Sequence, residues 1–283
     1  MSRLAVGALL ALCACAQAVD DLTDGVLLLP PQLKEVSAIV AVDERTVACV
    51  QDEVGALYFV DLRGERPLRV APFGERGDYE GLARVGDDYW VLRSDGLLLR
   101  LQWRADRLAV AASHRLHSGH KEFEGLCHDA ERKLLLVLPK DHAVDNKVDR
   151  RQRDVLAFDL ATEKLREQPE AVLNTKAIVD EAEARAIELP TKTTAKGKER
   201  IELKLLGSEL LAVPGSQDLL VLSATDHVLL RVDRTGKLLG ARLLSASELP
   251  QPEGMAFLTD GRLLLASEGA GGAAVLRVVD HWR

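Results

Sequence analysis

Tyr79-Glu80-Gly81-Leu82-Ala83 heads the passage that decides the fold. Three short apolar or alternating runs follow it, at residues 89–92, 97–103 and 108–116. Each is closed by Gly, Asp, Arg or Pro, as strands of an antiparallel meander are. The same plan recurs along the chain. Phe123-Glu124-Gly125-Leu126 heads runs at 133–138 and 154–160. Ser208-Glu209-Leu210-Leu211 heads runs at 219–223, 227–233 and 238–244. Pro252-Glu253-Gly254-Met255-Ala256 heads runs at 262–266 and 273–279. Val36-Ser37-Ala38-Ile39 opens the series, before runs at 46–50, 56–62 and 67–73. Asp95-Gly96, Thr235-Gly236 and Asp260-Gly261 supply the turn chemistry between runs.

Anchored on positions 37, 80, 124, 208 and 253, the repeats are spaced by 43, 44, 84 and 45 residues. About four strands in a period near 43 is the sequence mark of a β-propeller blade. The last unit supplies only three strands, and residues 25–29 form an unused strand ahead of the first anchor. That strand is expected to complete the last blade, which closes the ring and removes its open edges. The interval of 84 reads either as two blades, giving six, or as one blade with insertions, giving five. The stretch 172–206 shows no complete meander, so five blades are predicted. One propeller domain spans residues 24–283, with insertions at about 141–153 and 174–204. Within the second, residues 175–188 are Ala/Glu-rich and read as a short helix, and residues 191–200 read as a polar basic loop.

The chain has 283 residues, 47% of them hydrophobic, so a sizeable core is within reach. Its net charge of −7 gives no electrostatic reason to seek nucleic acid or an anionic membrane surface. Aromatic residues at 4% argue against a sugar- or base-stacking groove. Arg3 followed by an apolar stretch at residues 4–12 reads as an export signal, too short to span a bilayer. Two cuts fit: one after Ala16-Gln17-Ala18, ending a signal peptide of residues 1–18, and one in the lipobox Leu12-Cys13-Ala14-Cys15, which would leave Cys15 lipidated. The expected place is therefore the periplasm, with membrane attachment only through the lipid. Of the later cysteines, Cys49 and Cys127 fall in non-adjacent blades and are expected as buried free thiols.

In a propeller the first strand of each blade lines the central channel. Glu80, Glu124 and Glu253 begin that strand in three blades and should converge at one channel mouth. Converging carboxylates repel unless something positive joins them. A hard cation with oxygen ligands is one solution, and calcium suits an exported protein best. The ends of the second strands face the same region and add Asp52, Asp226 and Glu268. The other solution is structural: the glutamates bond backbone N–H groups of neighbouring blades, with Arg93 and Lys140 neutralising the cluster.

The words Tyr79-Glu80-Gly81-Leu82-Ala83, Phe123-Glu124-Gly125-Leu126, 219–223 and 251–257, with the tail Leu265-Ala266-Ser267-Glu268, resemble the SdiA-regulated, or YjiK-like, bacterial propellers. The resemblance spans roughly residues 33–279. It implies an exported or membrane-anchored propeller of five blades, with a calcium site and no assigned catalysis. Arg93 and Lys140 depart from it, standing where the family tends to have an acidic residue.

Other constellations are weaker. His114, His117 and His120 are expected on a solvated edge, and His128 in a turn. His227 follows Asp226 at a blade top. Residues 192–204 are basic without aromatic interleaving and read as a solvated insertion. No nucleophile elbow, His-Glu-x-x-His or phosphate loop occurs. The expected function is a calcium-binding module or scaffold of the cell envelope, with an unknown protein or small-molecule ligand at the channel mouth. The competing reading is a metal-dependent lactonase or phosphoesterase-like hydrolase. Six-bladed lactonase-type propellers resemble the chain in using a Glu-Gly word to hold calcium, but they also use channel asparagines. Here Asn146 and Asn174 both lie in insertions.

Overall fold

Near-continuous apolar runs need two covered faces, and the chain supplies them by stacking sheet on sheet around a ring. The computed structural model describes residues 25–144 and 149–279. Residues 1–18 with Cys15, and Asn146, lie outside the described residues. The chain opens with β1 (Val26–Leu28). Blade 1 follows with β2 (Val36–Ala41), β3 (Thr46–Gln51), β4 (Ala56–Asp61) and β5 (Arg69–Pro72). Blade 2 holds β6 (Tyr79–Val85), β7 (Asp88–Arg93), β8 (Leu97–Arg104) and β9 (Arg107–Arg115). Blade 3 holds β10 (Phe123–Asp129), β11 (Leu134–Pro139) and β12 (Gln152–Asp159). Its outer position is shared by β13 (Lys164–Leu165) and β14 (Ala171–Asn174), which both pair with β12.

The single α-helix among the described residues, α1 (Thr175–Arg185), starts at Asn174, whose side chain accepts from the N–H groups of Lys176 and Ala177. A two-stranded hairpin, β15 (Thr191–Thr193) and β16 (Glu199–Ile201), comes next. Blade 4 is β17 (Glu209–Ala212), β18 (Leu219–Ser223), β19 (Val228–Val232) and β20 (Leu238–Leu243). Blade 5 is β21 (Gln251–Phe257), β22 (Leu263–Glu268) and β23 (Val275–Val279), completed on its outer edge by β1. Val26 pairs with Arg277 and Leu28 with Val275, antiparallel. The propeller has five blades, and the long interval holds one blade with insertions.

The core divides into five apolar layers, one per blade interface. Leu57, Phe59, Val91 and Leu101 fill the layer between blades 1 and 2. Leu92, Phe123 and Phe158 fill the next. Cys127, Leu136, Leu210 and Val221 lie between blades 3 and 4, where Ile178 and Ala182 of α1 join them. Met255, Leu222 and Leu265 separate blades 4 and 5. Ile39, Cys49, Leu264 and Leu276 close the ring between blades 5 and 1. Cys49 and Cys127 are buried free thiols in different layers.

Residues 191–200 form a hairpin rather than a loop. All three residues of β15 are exposed and none is apolar, so no alternation announces it. The histidines also sit differently from expectation. His114 stacks on Trp90 with ring centroids 5.9 Å apart and lies 5.1 Å from Phe158. A register shift between Arg100 and Leu101 in the β8–β9 pairing puts His114 opposite Leu98, on the face turned to blade 3, whereas Leu108 of the same strand faces blade 1. His120 is half-buried, with its side chain covered and Nε2 3.4 Å from Asp154 Oδ2, whereas His117 is exposed. His128 lies within β10, not in a turn.

Candidate carboxylate site at the channel mouth

A β-bulge prepares the site in each of three blades. In blade 2 the register jumps between Tyr79 and Gly81, leaving Glu80 as the extra residue. The same jump isolates Glu124 in blade 3 and Glu253 in blade 5, and Ser37 takes the position in blade 1. A bulge re-aims one side chain out of the alternation. Here it leaves the apolar residues on both sides facing the inter-blade layers. The glycine after each glutamate sits where inner strands of adjacent blades come closest. A Cβ on Gly81 would stand 2.6 Å from the Leu126 Cβ and 2.9 Å from the Glu124 carbonyl oxygen.

Blade 4 departs from the pattern. Glu209 pairs with Leu222, the register place that Gly81 holds opposite Leu92 and Gly125 opposite Leu138. Its carboxylate Oε1 accepts the N–H of Leu126 in blade 3 and of Leu210, each at 2.9 Å. Gly125 leaves room for that oxygen, since a Cβ there would stand 2.8 Å from it.

The carboxyl groups feel one another. Burial first, then Glu124, Asp78 and Glu253, push Glu80 up to about 9. Burial, Glu124 and Glu268 push Glu253 up to about 8, against a hydrogen bond from Ser208. Burial, Asp52 and Glu35 push Glu268 up to about 7. Asp52 is raised by burial, Glu35 and Glu53, and its Oδ1 is buried without a hydrogen-bond partner. Burial holds Glu124 above the usual carboxylate range although Lys140 Nζ lies 2.7 Å from its Oε1. Buried Glu209 is raised well above that range despite its two N–H donors.

Glu80, Glu124, Glu253, Glu268 and Asp52 are thus brought into one electrostatic cluster. Asp226 is committed elsewhere. It accepts the N–H groups of Lys204 at 3.1 Å and Leu205 at 2.8 Å, and the Ser223 hydroxyl at 2.7 Å. Buried Arg153 holds the same segment from the other side, donating to the carbonyls of Leu205 and Lys204. Arg93 pairs with Asp95 at 3.0 Å, so Lys140 is the cation that enters the cluster. His227 Nε2 lies 3.0 Å from the Pro250 carbonyl oxygen, tying the blade 4 turn to the approach of blade 5. Sequence reasoning passed over Glu35, Asp78 and Glu122. All three lie two residues before a bulge position, a spacing that could have found them.

A calcium ion suits this donor set, which is made of oxygen, rich in negative charge and has one buried oxygen, Asp52 Oδ1, with no protein donor. Among the described residues no three His, Cys, Asp or Glu side chains stand at ready-made ligand spacing.

The family model described as SdiA-regulated matches residues 148–270, from just before β12 to just past β22. Over these residues the chain matches the SdiA-regulated family model, which covers less than half of its length. The five-bladed ring fits the SdiA-regulated family, and the bulge words of blades 2 and 3 lie upstream of the matched stretch. No curated protein matches the chain. Among solved structures, the glutaminyl cyclase of Myxococcus xanthus is similar at 16% identity over 90% of this chain and 97% of that one, with a TM-score of 0.53. A structure titled U3-55K is similar at 10% identity over 91% of this chain and 99% of that one, with a TM-score of 0.50. At such identities the likeness is one of fold alone.

Proposed function

We propose that this SdiA-regulated propeller is an exported calcium-binding module of the bacterial cell envelope. Its ion sits among the carboxylates of the channel mouth and presents that mouth to a protein or small-molecule ligand. The observation that carries the reading is Asp52 Oδ1, a buried oxygen without a donor, beside carboxyl groups raised by burial and by one another. A divalent cation would satisfy that oxygen and discharge the repulsion in one step. Lys140 supplies part of the same compensation to Glu124. Export rests on the signal-like residues 1–18, and anchoring on Cys15. Among the described residues no helix is long and apolar enough to cross a membrane.

Calorimetric titration of calcium into the chelator-stripped protein tests the ion, alongside Glu80→Gln and Glu253→Gln. Binding by the parent that is lost in both variants is the expected result. No heat from the parent at millimolar calcium removes the metal from the reading and leaves the carboxyls as protonated structural groups.

A further inference from the structure

The inner strands begin at the carboxylate mouth, so their far ends, and the turns that follow, open on the opposite face of the ring. There, between blades 1 and 2, lies a groove of about 750 Å³. That volume suits a small-molecule site. The turn after β2 and the end of β4 line one side, and the turn after β6 and the end of β8 line the other.

One wall is aromatic. Phe59 meets Tyr89 edge-on with centroids 6.0 Å apart, and Trp103 tilts against Phe59 at 6.0 Å. The Arg69 guanidinium lies 4.8 Å from the Phe59 ring centre and 4.6 Å from that of Trp103. A flat cation held on aromatic faces extends the shelf and keeps its charge.

The charges of the groove are unevenly committed. Asp61 takes Arg45 at 2.5 Å and the N–H groups of Glu65 and Arg66. Asp88 takes Arg100 at 2.7 Å and Gln102 at 3.0 Å. Asp43 accepts the N–H groups of Arg45 and Thr46. Asp87, exposed at the rim, stands 3.8 Å from Arg84. Arg66, Arg69 and Arg104, by contrast, have no carboxylate partner among the described residues, and Arg84 Nε is buried without a hydrogen-bond partner. An aromatic shelf edged by guanidinium groups without carboxylate partners is complementary to an anion on a flat apolar body.

We propose that this groove is a second binding site, for a small aromatic anion bearing a carboxylate or a phosphate. The ring lies over the Arg69 guanidinium that covers Phe59 and Trp103, and the anionic group meets Arg66 and Arg104 along the rim. The site is independent of the carboxylate mouth and needs no metal.

The test is calorimetric titration of the folded full chain with 1-naphthoate and with 1-naphthyl phosphate, with uncharged 1-naphthalenemethanol for comparison. At least one anion is expected to bind saturably and at least about tenfold more tightly than the alcohol, the discrimination that a charge-assisted hydrogen bond gives. Arg66 and Arg69 are exposed, so Arg66→Gln/Arg69→Gln should keep the parent's thermal midpoint while losing about tenfold or more of the affinity. Trp103→Leu should weaken whichever anion binds, and Glu80→Gln, at the other face, should leave its affinity unchanged. Failure of both anions to saturate at millimolar concentration overturns the proposal. So does equal binding of the alcohol, or a double variant that binds like the parent.

Discussion

Glu209 and Gly125 meet across the boundary of blades 3 and 4, the missing Cβ of one making the space that the carboxylate of the other fills. Gly125→Ala should therefore cost about 1–3 kcal/mol in chemical denaturation, the penalty of overpacking a site whose neighbours include backbone. Glu209 itself is buried, and burial holds its carboxyl well above the usual carboxylate range against its two N–H donors. Glu209→Gln keeps an acceptor for both N–H groups and should shift stability by less than about 1 kcal/mol, whereas Glu209→Leu strands two buried donors and should cost about 2 kcal/mol or more. A larger loss in the Gln variant than in the Leu variant would show that the buried group is charged. Five of the six residues read from sequence as ion ligands do fall into one cluster. Asp226 does not, because a residue at the end of a second strand can equally serve the turn beside it. The reverse error hid Glu209. It stands one place after the bulge position, so the repeat reading assigned it no role.

At the level of elements, what was legible followed the apolar alternation. Each inner strand opens on a word with a polar residue, which stands at a bulge in blades 1, 2, 3 and 5, and all five such words mark real strands. The spacing of 84 was settled by the absence of alternation between β14 and β17. The hairpin of β15 and β16 escaped because pairing between exposed polar residues leaves no periodic trace. Helix α1 was legible in composition, but its start depends on a single side chain. Asn174→Ala removes the acceptor of two helix-initial N–H groups and should lower stability by about 1 kcal/mol, read from the shift of a denaturation midpoint. Because Ile178 and Ala182 pack into the layer between blades 3 and 4, the loss should register in the global transition and not only in helix content.

For the molecule as a whole, the mouth sets a pH dependence whose sign can be worked out. In the unfolded chain these glutamates give up their protons near 4.5, whereas in the ring Glu268 keeps its proton to about 7, Glu253 to about 8 and Glu80 to about 9. Between those limits the native state binds more protons than the unfolded one, so stability falls as pH rises. The metal-free protein should melt highest on the acid side and lose thermal midpoint steadily from pH 6 to 9. Saturating calcium should flatten that slope if it occupies the mouth. A midpoint that climbs over the same interval without metal would contradict the raised carboxyl groups. The closure of the ring has a further consequence, in time rather than in space. Strand β1 is the first of the propeller to be synthesised, and its partner β23 is the last. Through nearly the whole of translation the leading strand waits with an unmatched edge, and a ribosome that stalls before residue 275 releases a product that can never be clasped. The seam thus acts as a proof of completeness: only chains carried through to β23 lose the sticky edge by which proteases and chaperones recognise unfinished work.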